Sequence, residues 1–127
     1  MRHAVGRALH GLPKDAVDDI LLVLDEAVSN AIRHGSGAGY PVEVAVRVDH
    51  GWIDIRVRDC GPTSDLPSLP ATQPPSLATG GRGLWLIKQL VDEVRLRRAG
   101  EGTLLLARRR VAPTASLTSE RIVPSAG

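Results

Sequence analysis

Apolar residues recur at three- and four-residue intervals through Val17, Ile20, Leu21, Leu24, Ala27, Val28 and Ala31, the spacing of a helix with one buried stripe. The pattern predicts a long helix over about residues 14–34, opened by Pro13 and Asp15 and closed by the small-residue run Gly35-Ser36-Gly37-Ala38-Gly39, which a helix does not tolerate. A shorter helical pattern, Ala4, Val5, Ala8 and Leu9, precedes it and stops at Gly11. The period then shortens to two. Val42, Val44, Val46 and Val48 alternate with Glu43, Arg47 and Asp49, as in a strand with one face buried. Ile53, Ile55 and Val57 resume the alternation beyond Asp49-His50-Gly51, so an antiparallel hairpin ending at Asp59 is expected.

Between Gly61 and Gly80 neither period survives. Pro62, Pro67, Pro70, Pro74 and Pro75 fall there among Ser and Thr, and a structureless connection of that length is either a functional lid or disorder. A helical period returns at Leu84, Ile87, Leu90 and Val91 as the glycines Gly80, Gly81 and Gly83 end. Two last strands, about residues 93–98 and 103–109, flank Ala99-Gly100-Glu101-Gly102. Residues 111–127 are rich in Pro, Ser, Thr and Ala, a composition that predicts a disordered tail after a domain over residues 1–110. Helices, a hairpin, a loop, a helix and a second hairpin suit an α/β architecture, one sheet covered on one side.

Composition narrows the function classes. At 127 residues the chain fits one domain. No apolar run reaches the roughly 18 residues of a membrane span, and the start lacks the pattern of a leader; a cytoplasmic location without membrane contact is the expectation. The single cysteine, Cys60, has no partner in the chain, and no Cys/His cluster offers the spacing of structural zinc. Net charge is +2, with arginines gathered late as Arg95, Arg97, Arg98 and Arg108-Arg109-Arg110. The three aromatic residues, Tyr40, Trp52 and Trp85, do not interleave with them in sequence, which argues against nucleic-acid binding by stacking. A solvated strand edge is the expected setting of those arginines.

Three short stretches carry candidate chemistry. Glu26 and Asn30 lie one turn apart on the long helix, so a carboxylate and a carboxamide share a face and could present a base and an oxygen ligand to a hydrated cation; in isolation such a pair is better read as a solvated helix edge. Gly80-Gly81-Arg82-Gly83 opens a helix, where close backbone approach and free N–H groups suit an anion; alone, it is a helix cap. It fits neither the Walker A loop nor the dinucleotide fingerprint. Asp59-Cys60-Gly61 is a strand-ending turn that could instead aim a carboxylate at a purine.

In order, Glu26-x-x-x-Asn30 with Arg33-His34-Gly35, Asp59-x-Gly61, Gly81-Arg82-Gly83-Leu84-Trp85-Leu86 and Gly102-Thr103 resemble the N, G1, G2 and terminal threonine motifs of the GHKL ATPases, the histidine kinase-like superfamily. The wording from Leu24 to Gly35 and from Gly81 to Leu90 is most similar to the small bacterial anti-sigma-factor serine/threonine kinases. The resemblance covers roughly residues 9–109. It implies a Bergerat-type two-layer α/β (α+β) sandwich, with helices on one face of a mixed, mainly antiparallel sheet and ATP beneath a lid at residues 61–80. It further implies Asn30 as the Mg2+ ligand, Glu26 as the catalytic base toward the attacking hydroxyl, and Asp59 with Gly61 at the adenine. By the same resemblance Gly81, Gly83 and Leu84 hold the phosphates through backbone N–H groups, with Arg82 beside them. Thr103 supports the base through its hydroxyl, although a strand-favouring Thr needs no such role. His34 is either a nucleotide contact or a residue interacting with the helix dipole.

Two features depart from the family pattern. The last position of the G1 box, usually Gly, is Thr63, and the family's first strand has no counterpart ahead of the first helical segment. Two functions therefore stand side by side: an ATP-dependent kinase that phosphorylates an anti-anti-sigma (STAS) protein and regulates a sigma factor, with a homodimer as an allowed assembly, or a nucleotide-binding anti-sigma module that acts by sequestration without catalysis. DNA binding through the late arginines is the weaker third.

Overall fold

The computed structural model describes residues 2–33, 39–61, 69–74 and 82–111. In chain order these form α1 (Arg2–Ala8), α2 (Lys14–Ala31), β1 (Val42–Asp49), β2 (Trp52–Asp59), α3 (Arg82–Leu90), β3 (Glu93–Ala99) and β4 (Gly102–Arg110). The strands make one four-stranded sheet in the order β1-β2-β4-β3, and every pairing is antiparallel. Both expected hairpins are present, joined through the β2–β4 ladder. The first turns at His50 and Gly51, both at positive φ (47° and 81°), the two-residue geometry that matches strand twist and that a glycine at the second position makes inexpensive.

The register explains the core. Val44, Val57, Leu105 and Leu96 stand side by side across the sheet, and Val46, Ile55, Ala107 and Val94 form the next row. This is the face that meets the helices. Ile53, Ile55 and Val57 are buried against Ile20, Val23, Leu24 and Ala27 of α2, Leu84 and Ile87 of α3, and Val5 and Leu9 next to them. Each large aliphatic side chain fully withdrawn from water stabilises the fold by about 1.5–3 kcal/mol. The helical stripe and the strand alternation read from the sequence are thus the two sides of one interface. The opposite sheet face carries Glu43, Ala45, Arg47, Asp54, Arg56 and Leu106, among others, and no described element covers it.

Several boundaries differ from expectation for physical reasons. The α-helical part of α2 ends at Ala31, and Ile32 and Arg33 continue in a wider, π-type turn; His34 and residues 35–38 of the glycine run lie outside the described residues. α3 starts inside the glycine run, at Arg82, so Gly83 is helical. Only β3 is an edge strand on that side of the sheet; β4 lies between β2 and β3. The edge expected for the arginines therefore holds for Arg95, Arg97 and Arg98 but not for Arg108, Arg109 and Arg110. Period two splits that triplet. Arg108 and Arg110 rise on the open face, with their guanidinium carbons 4.3 and 4.6 Å from the Trp52 ring centre, and Arg109 turns inward to Asp19 of α2, with Nε and Nη2 donating to Oδ2 at 3.1 and 2.8 Å. Val111 closes this end: it is buried, and its N–H donates to the Gly51 carbonyl at 2.8 Å. Most of the expected lid and tail, residues 62–68, 75–80 and 112–127, falls outside the described residues. Within residues 69–74, Leu69 packs on the core and the Pro70 carbonyl accepts from Lys88 Nζ at 3.1 Å. No helix among the described residues is long and apolar enough to cross a membrane.

Candidate functional site

Two anchors orient the helices on the sheet. Asp19, early in α2, is tied to Arg109 at the end of β4, and α2 packs on the neighbouring β2. At about 1.5 Å per helical residue, Glu26 and Asn30 lie roughly 10 and 16 Å further along the axis. At about 3.3 Å per strand residue, Thr103 lies roughly 20 Å back along β4. The C-terminal part of α2 therefore approaches the end of the sheet at which β2 finishes and β4 begins. α3 runs the other way. Just beyond its last turn the Asp92 N–H donates to the Arg108 carbonyl at 2.8 Å and the Asp92 carboxylate accepts the Arg110 N–H at 2.6 Å, so the start of α3 points back to that same end. The two helices meet there: a Cβ at Gly83 would stand 2.7 Å from Oε2 of Glu26.

At the sheet end itself stands Asp59. It is the last residue of β2 and is 5% exposed, and its Oδ2 accepts the Thr103 N–H at 3.2 Å. Beside it, Gly102 leaves no room for any larger residue: a Cβ there would run into the Asp59 carbonyl and lie 2.8 Å from Oδ1. The first residue of β4 is glycine because the Asp59 backbone carbonyl, with the carboxylate beside it, fills the space a side chain would take. Gly61 is buried just beyond the strand, and Cys60 between them is half-buried.

The structure thus forms two small groups at one end of the molecule, Asp59 with Gly102 and Thr103, and Glu26 with Gly83. Asn30 is half-buried one turn past Glu26. Leu84 is buried into the core while its backbone belongs to the first turn of α3, whose leading N–H groups have no partners within the helix. Arg82 is exposed at that start. Gly81, His34 and Thr63 lie outside the described residues. Thr103 meets Asp59 through its backbone, where the sequence reading looked to its hydroxyl. The packing role of Gly102 had not been assigned either. Its signal was a glycine followed by a strand-forming run, Gly102-Thr103-Leu104-Leu105-Leu106.

Chemically, a buried carboxylate with an acceptor edge at a glycine-lined strand end suits an exocyclic amine, and a helix start suits an anion. Among the described residues no group of three or more His, Cys, Asp or Glu could hold a metal. A divalent ion here would draw most of its ligands from phosphates and water, as Mg2+ does, and a single carboxamide such as Asn30 fits that donor set.

Residues 1–109 match the family described as the histidine kinase-like ATPase domain. The chain is 33% identical over 97 residues to the serine-protein kinase RsbW of Bacillus licheniformis, a match covering 68% of this chain and 61% of that protein. It is 30% identical over 122 residues to the RsbW of Bacillus subtilis strain 168, covering 88% and 72%. The chain thus spans less than two thirds of the first relative's length. Among solved structures, the Erythrobacter litoralis EL346 blue-light-activated histidine kinase superposes with a TM-score of 0.59 at 22% identity, over 84% of this chain and 34% of that one. The catalytic domain of the histidine kinase ThkA gives 0.57 at 18%, over 77% and 70%. Likeness at that level speaks for the fold.

Proposed function

The chain belongs to the family of histidine kinase-like ATPase domains, and from that premise we propose that it binds Mg-ATP at the Asp59 end of the sheet and transfers the γ-phosphate to a serine or threonine of an anti-anti-sigma (STAS) protein. The observation that carries this reading is the buried Asp59 carboxylate, cleared by Gly102, at the end where Glu26 and the start of α3 also gather. Asp59 accepts the adenine amino group, with Gly61 and Thr103 lining the base. The N–H groups of Gly81, Gly83 and Leu84, with Arg82 beside them, hold the phosphates. Asn30 would hold the Mg2+, which when bound would supply charge neutralisation to the phosphates. Glu26 takes the proton from the substrate hydroxyl as its oxygen bonds to the γ-phosphorus. The bond to the β-phosphate oxygen breaks, and ADP leaves.

The names of the relatives support the kinase reading. By the same reading the protein works in the cytoplasm, binds a sigma factor as well as the STAS protein, and uses neither DNA nor a membrane, with a homodimer as an allowed assembly. The test is calorimetry with Mg-ATP on wild type and Asp59→Asn, followed by transfer of labelled γ-phosphate to a STAS protein. Binding that Asp59→Asn abolishes and transfer that wild type performs bear the proposal out; a folded wild type that binds no ATP ends it. Thr63, standing where the family's G1 box has glycine, favours a second reading, a sequestering anti-sigma module. It is distinguished by partner binding without phosphate transfer.

A further inference from the structure

We infer that the sheet face turned away from the helices is a docking surface for an acidic amphipathic helix of a partner protein. The inference does not depend on the nucleotide site, which lies at the sheet end and on the helix side. On the open face Leu104 and Leu106 of β4 are half-buried with no described element over them. The register sets Arg58 and Arg97 on either side of Leu104, and Arg56 and Arg95 on either side of Leu106. Apolar residues thus form a floor, and arginines on β2 and β3 form two rails. Arg58 is engaged by Glu43 at 3.5 Å. Arg56, Arg95 and Arg97 are exposed and meet no carboxylate among the described residues.

The dimensions suit a helix. The rails flank one strand, so they stand about 9.5 Å apart, close to the roughly 10–12 Å diameter of an α-helix with its side chains. A helix lying along β4 would rest an apolar stripe on Leu104 and Leu106 and present carboxylates on both flanks to the arginines, as charge-complementary interfaces do. Among the described residues these three cations have no carboxylate partner and the apolar strip between them has no cover, and acidic flanks on an apolar ridge answer both features at once. A second copy of the chain would bring arginine rails chiefly against arginine rails, because Glu43 and Asp54 on this face are engaged by Arg58 and Arg108, which leaves Glu93 at the end of the β3 rail. A nucleic acid would set phosphates against leucines, and the Trp52 ring on this face is already taken by the Arg108 and Arg110 guanidinium groups, so it offers a base no open stacking surface.

The probe is a fluorescein-labelled synthetic helix of roughly 18 residues, long enough to hold its fold, with leucine on one stripe and glutamate on both flanks. It is titrated into the full chain without nucleotide. The double variant Arg56→Ala/Arg95→Ala and a peptide with every Glu replaced by Gln should each weaken binding by roughly tenfold. Arg56→Lys/Arg95→Lys, which keeps the charge, should retain most of the affinity, so that misfolding is separated from loss of the rails. The inference is overturned if the peptide does not bind, if the Gln peptide or the double alanine variant binds as well, or if duplex DNA displaces the peptide at equal concentration. Sedimentation provides the remaining outcome: a dimer that the double alanine variant converts to monomer assigns the face to a second copy and overturns the helix.

Discussion

The two ends of the sheet use charge in opposite ways. At the Arg108–Arg110 end nearly every charged group is engaged by the protein itself: Arg108 Nε donates to Asp54 Oδ1 at 2.7 Å, Arg109 is bound to Asp19, Arg110 donates its N–H to Asp92, and Trp52 lies between two guanidinium groups. These contacts tie α2 and α3 to the strands. At the Asp59 end charges are placed where glycine gives way to them, with Glu26 against Gly83 and Asp59 against Gly102. One end is fastened by ion pairs between elements; the other, open end sets its carboxylates against glycine and backbone, with Asp59 accepting the Thr103 N–H.

The comparison breaks most visibly if a residue of the open end proves dispensable for chemistry. Glu26→Ala should lower phosphate transfer by about 10²–10⁴-fold, the usual contribution of a positioned base, while Mg-ATP affinity by calorimetry stays within a few-fold. Transfer at the wild-type rate would remove Glu26 from the reaction. The next effect is that of Gly102→Ala. The new methyl meets the Asp59 backbone as well as its carboxylate, and backbone cannot swing aside, so overpacking should cost about 1–3 kcal/mol in denaturant unfolding and weaken ATP binding in the same variant. A stable variant with unchanged affinity would show that Asp59 does not need the clearance.

At the fastened end, Arg109→Ala should cost about 1.5–3 kcal/mol, the range for hydrogen bonds to charged groups, because the guanidinium is only 17% exposed and its partner Asp19 31%. Urea unfolding of Arg109→Ala, Asp19→Ala and the double variant would isolate the pair. Additive losses would mean that the contact contributes nothing beyond its parts. Gly83→Ala sharpens the contrast because its two readouts move apart. Alanine is favoured over glycine in a helix by up to about 1 kcal/mol, and the atom it meets is the far end of a flexible side chain. Stability should hold or rise while transfer falls several-fold as the Glu26 carboxylate is pushed aside. A loss of both together would make Gly83 a packing residue only.

Much of this was legible in the chain. The alternation at Val42–Val48 and Ile53–Val57 fixed both strands of the first hairpin, because period two has a single structural meaning when one face is buried. The apolar stripe from Val17 to Ala31 gave α2 its inner face. What escaped was long-range. No local pattern says that β4 lies between β2 and β3, so the late arginines read as an edge. Yet strand alternation within Arg108-Arg109-Arg110 could have shown that the middle one turns inward. The motif residues Glu26, Asn30 and Asp59 were legible as a family pattern, but their grouping depends on helix direction, which only the Arg109–Asp19 and Asp92–Arg110 contacts reveal.

The smallest expected effect tests why exposure, and not the mere presence of an ion pair, decides which charges fasten the fold. Lys14 Nζ lies 2.8 Å from Asp18 Oδ2, as close as Arg109 is to Asp19, and this hydrogen bond holds the Lys14 amine above its ordinary 10.5. A raised pKa in the folded state means that any stabilisation is present in full below the unfolded value and is lost only as pH climbs through the folded one, so neutral solution shows the pair at its strongest. Even there it should be silent. The two side chains are 88% and 58% exposed, water screens them, the cation precedes the anion along the helix, which is the weaker order, and a lysine in the first turn faces the positive end of the helix dipole. Lys14→Ala should therefore leave the thermal midpoint at pH 7 unchanged within error, beside a clear drop for Arg109→Ala. Equal losses from the two substitutions would show that proximity alone sets the strength of these pairs and would remove the distinction between a fastened and an open end.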